Sequence, residues 1–106
     1  MSGSKIALGG DAYAFETITV ADTAKGFTTG TWTGGERTHV RAVMTVSGGM
    51  MRYRYDGDDP TASVGHLLSH GDMLIIEGMV NVTNFKAIRV GSQSGTLSTT
   101  YESVLS

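Results

Sequence analysis

The chain has 106 residues, 40% of them hydrophobic and 17% charged, with a formal net charge of −2 and no cysteine. That length suits a single domain with one modest core. The hydrophobic share excludes disorder, the lack of a basic excess excludes electrostatic capture of nucleic acid, and the lack of thiols excludes disulfides, thiol nucleophiles and Cys-based zinc sites.

Charge lies below the roughly 25% of an average globular domain, so the surface must be built largely from Gly, Ser, Thr and Asn. Met1-Ser2-Gly3-Ser4-Lys5 leads into only a few apolar residues before Gly9-Gly10-Asp11, too short for a signal-peptide core. The longest apolar run, Met73-Leu74-Ile75-Ile76, falls far short of the ~20 residues that cross a bilayer. The expectation is a chain made and folded in a cytoplasm, without a membrane partner.

Fifteen glycines and one proline punctuate runs rich in Val, Ile, Thr, Tyr and Phe, the signature of short strands joined by turns. Residues 1–11 read as an N-terminal arm, flexible or partner-contacting. Residues 13–21 read as a strand with Ile18 and Val20 on one face and Thr17 and Thr19 on the other. Residues 27–33 read as a Thr-rich strand carrying the only Trp, Trp32, and ending at Gly34-Gly35. Residues 38–47 show the clearest period of two, placing Val40, Ala42, Met44 and Val46 inward and His39, Arg41, Val43 and Thr45 outward. Gly48-Gly49 reads as a hairpin turn into residues 50–56, where Met51, Tyr53 and Tyr55 face the core and Arg52 and Arg54 face away. A turn cluster follows at residues 56–61. Residues 66–69 read as a short strand or one helical turn, and strands are expected at residues 73–77, 80–83, 84–90 and 96–103. No window carries the spacing of an amphipathic helix. The fold class expected is all-β, an antiparallel β-sandwich or small jelly roll of seven or eight short strands in one domain spanning residues 1–106. Its core should include Val40, Ala42, Met44, Val46, Tyr53, Tyr55, Ile76 and Leu97.

Clusters with chemical potential each have a plainer reading. His66 and His70 are four apart, which suits a zinc pair on a helix, but Gly65 and Gly71 leave room for about one turn. Asp56, Asp58 and Asp59 resemble a calcium loop, yet Gly57 and Pro60 stand where the EF-hand order does not allow them. Turn chemistry accounts for all of these residues. Arg52-Tyr53-Arg54-Tyr55 interleaves bases and rings as single-strand binders do, but strand alternation sends the two kinds to opposite faces. The nucleophile elbow Gly-x-Ser-x-Gly and the phosphate-loop patterns are absent. The reading is a non-enzymatic domain with no catalytic residues, metal or cofactor.

From Ala42 to Glu102 an ordered string of residues carries a resemblance. It comprises Met51-Arg52-Tyr53-Arg54-Tyr55-Asp56-Gly57, Pro60-Thr61, Gly65-His66-Leu67-Leu68, Gly71-Asp72, Ile76-Glu77-Gly78, Asn84-Phe85-Lys86-Ala87-Ile88-Arg89, Thr96-Leu97 and Thr100-Tyr101. In these the chain resembles small β-structured virion proteins of tailed bacteriophages, capsid decoration (cement) proteins above all. The resemblance implies a domain on the outer capsid surface of a virion, made in the host bacterial cytoplasm. Its implied partners are the major capsid protein and further copies of itself, as in a trimer. A tail, neck or head-fibre component, or a carbohydrate-binding β-sandwich using Trp32 and the tyrosines, are the alternatives. Trp32, Met50 and Met51 are the expected exposed anchors for the partner.

Overall fold

Where the sequence alternates, the chain pairs. The computed structural model describes residues 10–33 and 39–104. In chain order the elements are β1 (Gly10–Val20), β2 (Lys25–Gly26), the one-turn helix α1 (Thr29–Trp32), β3 (Val40–Gly48), β4 (Met51–Arg54), β5 (His66–Leu68), β6 (Met73–Glu77), the short helix α2 (Met79–Asn84), β7 (Lys86–Arg89) and β8 (Gly95–Val104). The strands form two four-stranded antiparallel sheets, ordered β1-β8-β3-β6 and β2-β7-β4-β5.

Position by position, these two orders hold sequence neighbours: β1 with β2, β8 with β7, β3 with β4, β6 with β5. Every connection except β4 to β5 passes from one sheet to the other. At one end the four short links run side by side and bond to their neighbours. Arg89 N–H donates to Ala21 O (2.9 Å), Val90 N–H to Met50 O (3.0 Å) and Gly49 N–H to Ser94 O (3.2 Å), while Gly71 N–H donates to Val46 O (2.8 Å). Gly48 N–H donates to Nδ1 of His70 (3.2 Å), which closes the row. The backbone donors of the links are thereby satisfied where the ladders turn.

Glycine is required at this corner because two backbones nearly touch. A Cβ on Gly95 would lie 2.6 Å from Gly49 O and 2.6 Å from the Met51 side chain, and one on Gly49 would overlap the carbonyl of Gln93. This corrects the hairpin expected at Gly48-Gly49, since β3 and β4 lie in different sheets. A Gly-Gly pair serves a hairpin and a crossover equally well; the deciding fact is that β8, forty-odd residues onward, occupies the place beside β3.

The core is shared between the sheets. Ile18, Val40, Ala42, Met44, Val46, Ile76, Leu97 and Tyr101 come from the first, and Met51, Leu68 and Ala87 from the second, with Trp32, Val82 and Phe85 from the connections. Of the expected core, Val40, Ala42, Met44, Val46, Ile76 and Leu97 are buried, Tyr53 is half-buried, and Tyr55 is 42% exposed. Tyr55 follows the end of β4, so the alternation that aims Met51 and Tyr53 inward no longer governs it.

Three further expectations change. Residues 27–33 are not a strand: β2 stops at Gly26 and one helical turn carries Trp32 into the core. Tyr13 Oη donates to Trp32 O at 2.6 Å and ties the turn to β1. The Gly34-Gly35 end of that expected strand lies outside the described residues, as does residue 38. Residues 80–83 are helical, closed by Val82 N–H to Gly78 O and Phe85 N–H to Asn81 O. There Val82 and Phe85 must both reach the core between β6 and β7, and a helical turn brings positions three apart to one side. Finally, residues 10 and 11 of the expected arm belong to β1, and residues 1–9 lie outside the described residues.

Arg41, expected on the outward face, is buried there beside Glu102, its cross-strand neighbour; Nε donates to Oε1 at 2.7 Å. On β1, Glu16 alternates with Ile18 and Val20, so it is turned toward the core side, where it accepts from Tyr101 Oη and from Thr28 N–H (3.1 Å). Burial, then the bond to Glu16, holds the Tyr101 phenol well above the usual tyrosine range.

Two outcomes follow for stability. Gly95→Ala should lower the unfolding free energy by about 2 kcal/mol or more, whereas Gly91→Ala, where a Cβ meets nothing within 4 Å, should change it by less than about 0.5 kcal/mol; urea titration measures both. Above about pH 10 the unfolded chain releases its tyrosine protons while folded Tyr101 keeps its own. The unfolded state then binds fewer protons, so stability falls as pH rises, by up to about 1.4 kcal/mol per pH unit for this group. Tyr101→Phe should flatten that alkaline slope while costing about 1.5–3 kcal/mol near neutrality through the lost bond to Glu16.

Candidate functional site

A file of aromatic rings runs from the core to the surface at the edge where β4, β5, β6 and α2 meet. Tyr101 stands edge-on to Phe27 (5.5 Å), Phe27 stacks on Phe85 (4.5 Å, 11°), and Phe85 lies 5.7 Å from Tyr53. Tyr53 then stacks with Tyr55 (6.3 Å, 20°) and packs against His66 (5.2 Å), and Tyr55 and His66 are 6.5 Å apart. Strand pairing sets part of this, because Tyr53 lies directly opposite both His66 and Ala87. Each ring is braced by the next, so the outermost pair is held by the core itself.

The file ends in an open cleft of about 420 Å³ lined by Arg54, Tyr55, Asp56, His66 and Asn81. A second hollow of about 220 Å³ shares Tyr55 and Asn81 with it and reaches Tyr53, Leu74 and Glu77. Asn81 sits on α2 with its amide donating to Glu77 O at 3.0 Å. Burial, and secondarily the neighbouring Tyr55, raises the Tyr53 phenol above the usual range.

The charges on the second sheet are matched locally. Arg54 grips Asp56 through both nitrogens, Nε to Oδ1 at 3.0 Å and Nη2 to Oδ2 at 2.5 Å, and reaches Asp58 at 3.4 Å. Lys86 Nζ pairs with Asp59 at 2.8 Å. Arg52 is spent on loop carbonyls, donating to Ala62 O and Gly65 O. The turn aspartates therefore face cations of this chain, and the arginines of the Arg-Tyr-Arg-Tyr run hold loops. His66 is on a strand, with His70 at the corner bonded to Gly48. Among the described residues no group of three metal-ligating side chains converges.

The outer face of the first sheet has a different character. Cross-strand register lines up Phe15, Thr100, Val43 and Ile75 in one row across all four strands, with Thr17, Ser98, Thr45 and Met73 in the next. Phe15 is 61% exposed, Met73 58% and Ile75 40%. Along these rows the face is a carpet of hydroxyls carrying apolar side chains, and charge enters only at its far end, with the Arg41–Glu102 pair and Glu77.

Of the three expected anchors, Trp32 and Met51 are buried in the core, and only Met50 is exposed, at the sheet corner. Burial follows from topology: Met51 is packed under the Gly95 crossover, and Trp32 is drawn in by α1. Sequence reading missed Phe15, Met73 and Asn81. The outward parity of Val43 was visible, but that it shares a row with Phe15 and Ile75 depends on pairings far apart in sequence. Comparison with protein-family models, curated protein sequences and solved structures gives no match.

The bond to Arg54 holds the Asp56 carboxyl below the usual carboxylate range. The contribution of this exposed pair is present above the ordinary Asp value near 3.9 and is lost only as pH falls through the lower folded value. NMR titration should find the Asp56 midpoint below that ordinary value, and Arg54→Gln should return it there; both sites being exposed, global stability should barely move.

Proposed function

We propose that this chain is a jelly-roll β-sandwich acting as a non-enzymatic structural protein of a tailed-bacteriophage virion, a decoration protein on the outer surface of the major capsid protein. The fold reading rests on the two sheet orders: four sequence-adjacent strand pairs, each split between facing positions of two sheets, follow the jelly-roll plan of two interleaved Greek keys, an architecture used by capsid domains. The shared core drawn from both sheets supports their face-to-face packing.

The observation that carries the functional reading is the outer face of the first sheet. A surface of hydroxyls on which the apolar Phe15, Ile75 and Met73 stand exposed suits docking by shape and packing. Phe15 and Met73 stand on the two edge strands of that sheet, at opposite margins of the face, and take the anchoring role that Trp32 and Met51 cannot. A protein that binds only the assembled shell stabilises it by mass action, and copies repeated by symmetry multiply modest contacts, whether the bound form is a monomer or an oligomer such as a trimer.

The test is reconstitution on capsids lacking the protein. Wild-type chain should bind in hundreds of copies, raise the temperature of genome release and stay attached in about 0.5 M salt, where the Debye length is only a few ångströms. Phe15→Glu and Met73→Glu should each weaken binding about tenfold or more without lowering the Tm of the free chain. A handful of copies at one vertex of purified virions would instead assign it to the neck or tail.

A further inference from the structure

Separately from the docking face, the ring-lined cleft has the features of a binding site for a small ligand. Its volume, about 420 Å³, falls in the range of roughly 300–1,000 Å³ typical of small-molecule sites. Tyr55, stacked on Tyr53, lines the cleft and is 42% exposed. Among the described residues, the hydroxyls of Tyr53 and Tyr55, the ring nitrogens of His66 and the Oδ1 of Asn81 have no protein hydrogen-bond partner, although all four residues line the cleft or its shallow extension. An aromatic face bordered by unpartnered donors and acceptors suits a molecule with a C–H face and a hydroxyl rim.

We propose that this cleft binds a short neutral saccharide, one ring stacked on Tyr55 and its hydroxyls bonded to Asn81 and His66. The aromatic quadrupole attracts the polarised C–H groups of a pyranose face, and Asn81 Oδ1 accepts from hydroxyls that an apolar ligand would lack. Charge selects against acidic ligands. Arg54, the cation of the cleft, has its guanidinium bound by Asp56 and Asp58, and Glu77 lines the adjoining hollow. A uronic acid or a nucleotide phosphate would therefore meet carboxylates without an available cation. Bracing of the platform through Phe85 to the core means that no side chain of the outer pair has to be ordered from a free state before the ligand docks, which lowers the entropic cost of binding.

The experiment is NMR titration of the isolated chain, independent of any capsid, with methyl glucoside, galactose, N-acetylglucosamine, their disaccharides, and glucuronate as the acidic comparison. Saturable shifts are expected at the Asn81 side-chain amide and at Tyr55 and His66 with at least one neutral sugar, at concentrations up to about 50 mM, above the roughly millimolar dissociation constants an open cleft supports. Tyr55→Ala should weaken binding about tenfold or more, and Tyr55→Phe should stay within about threefold. His66→Ala, on an exposed edge strand, supplies a second variant and should also weaken binding several-fold, with thermal unfolding recording that each variant is folded. No saturable shift with any neutral sugar, undiminished binding by both folded alanine variants, or tighter binding of glucuronate would overturn the proposal, and none of these outcomes bears on capsid attachment.

Discussion

The fold turns on one close backbone passage. Gly48 and Gly49 leave the first sheet against Ser94 and Gly95, which enter it, near enough that a methyl group on Gly49 or Gly95 would strike a carbonyl. That passage lets β3 and β8 pair through nine residues while each continues, around the corner, into the second sheet. The neighbouring links at Ala21 and at residues 69–72 bond into the same row. A sheet that bends with its ladder intact leaves few orphaned backbone groups at the bend, and this replaces the disulfides a chain without cysteine cannot form.

From that corner the two faces of each strand acquire opposite fates. Residues turned inward interleave from both sheets around Tyr101, Phe85 and Met51. Residues turned outward on the first sheet include seven Thr and Ser, with Phe15, Val43, Ile75 and Met73 among them and Arg41, Glu77 and Glu102 at one end. On the second sheet they include Arg52, Arg54 and Lys86, each engaged by a loop carbonyl or an aspartate, together with Leu67 and Ile88 on either side of Arg52. The cations of the second sheet's outer face are thus spent on holding loops, while the rows through Phe15 and Thr17 on the first sheet carry hydroxyls and apolar side chains.

The aromatic file joins local and global order. Phe27, Phe85, Tyr53 and His66 come from four segments that only the finished pairing brings together. Loss of core packing near Phe85 would therefore be felt at Tyr55, and mobility of that tyrosine is a surface report on the interior.

Much of this was legible without coordinates. Strict alternation through Val40, Ala42, Met44 and Val46 determined an inward face, because successive strand side chains point oppositely whatever the topology. Glycine-bounded, β-branched runs determined that the chain is mostly strand, and the aspartates around Gly57 determined a turn. What the sequence left open was every question answered by a distant segment. Gly-Gly suits a hairpin or a crossover, and only the arrival of β8 beside β3 chose the crossover. Trp32 and Met51 have the composition of surface anchors, yet α1 and the Gly95 passage put them in the core; Val82 has strand propensity, yet the short span between β6 and β7 made it helical. The row from Phe15 to Ile75 exists only because residues 85, 57 and 32 apart in sequence stand side by side. Local chemistry sets which face a residue can turn to, but long-range pairing sets what stands opposite it, and it is the second that makes a surface.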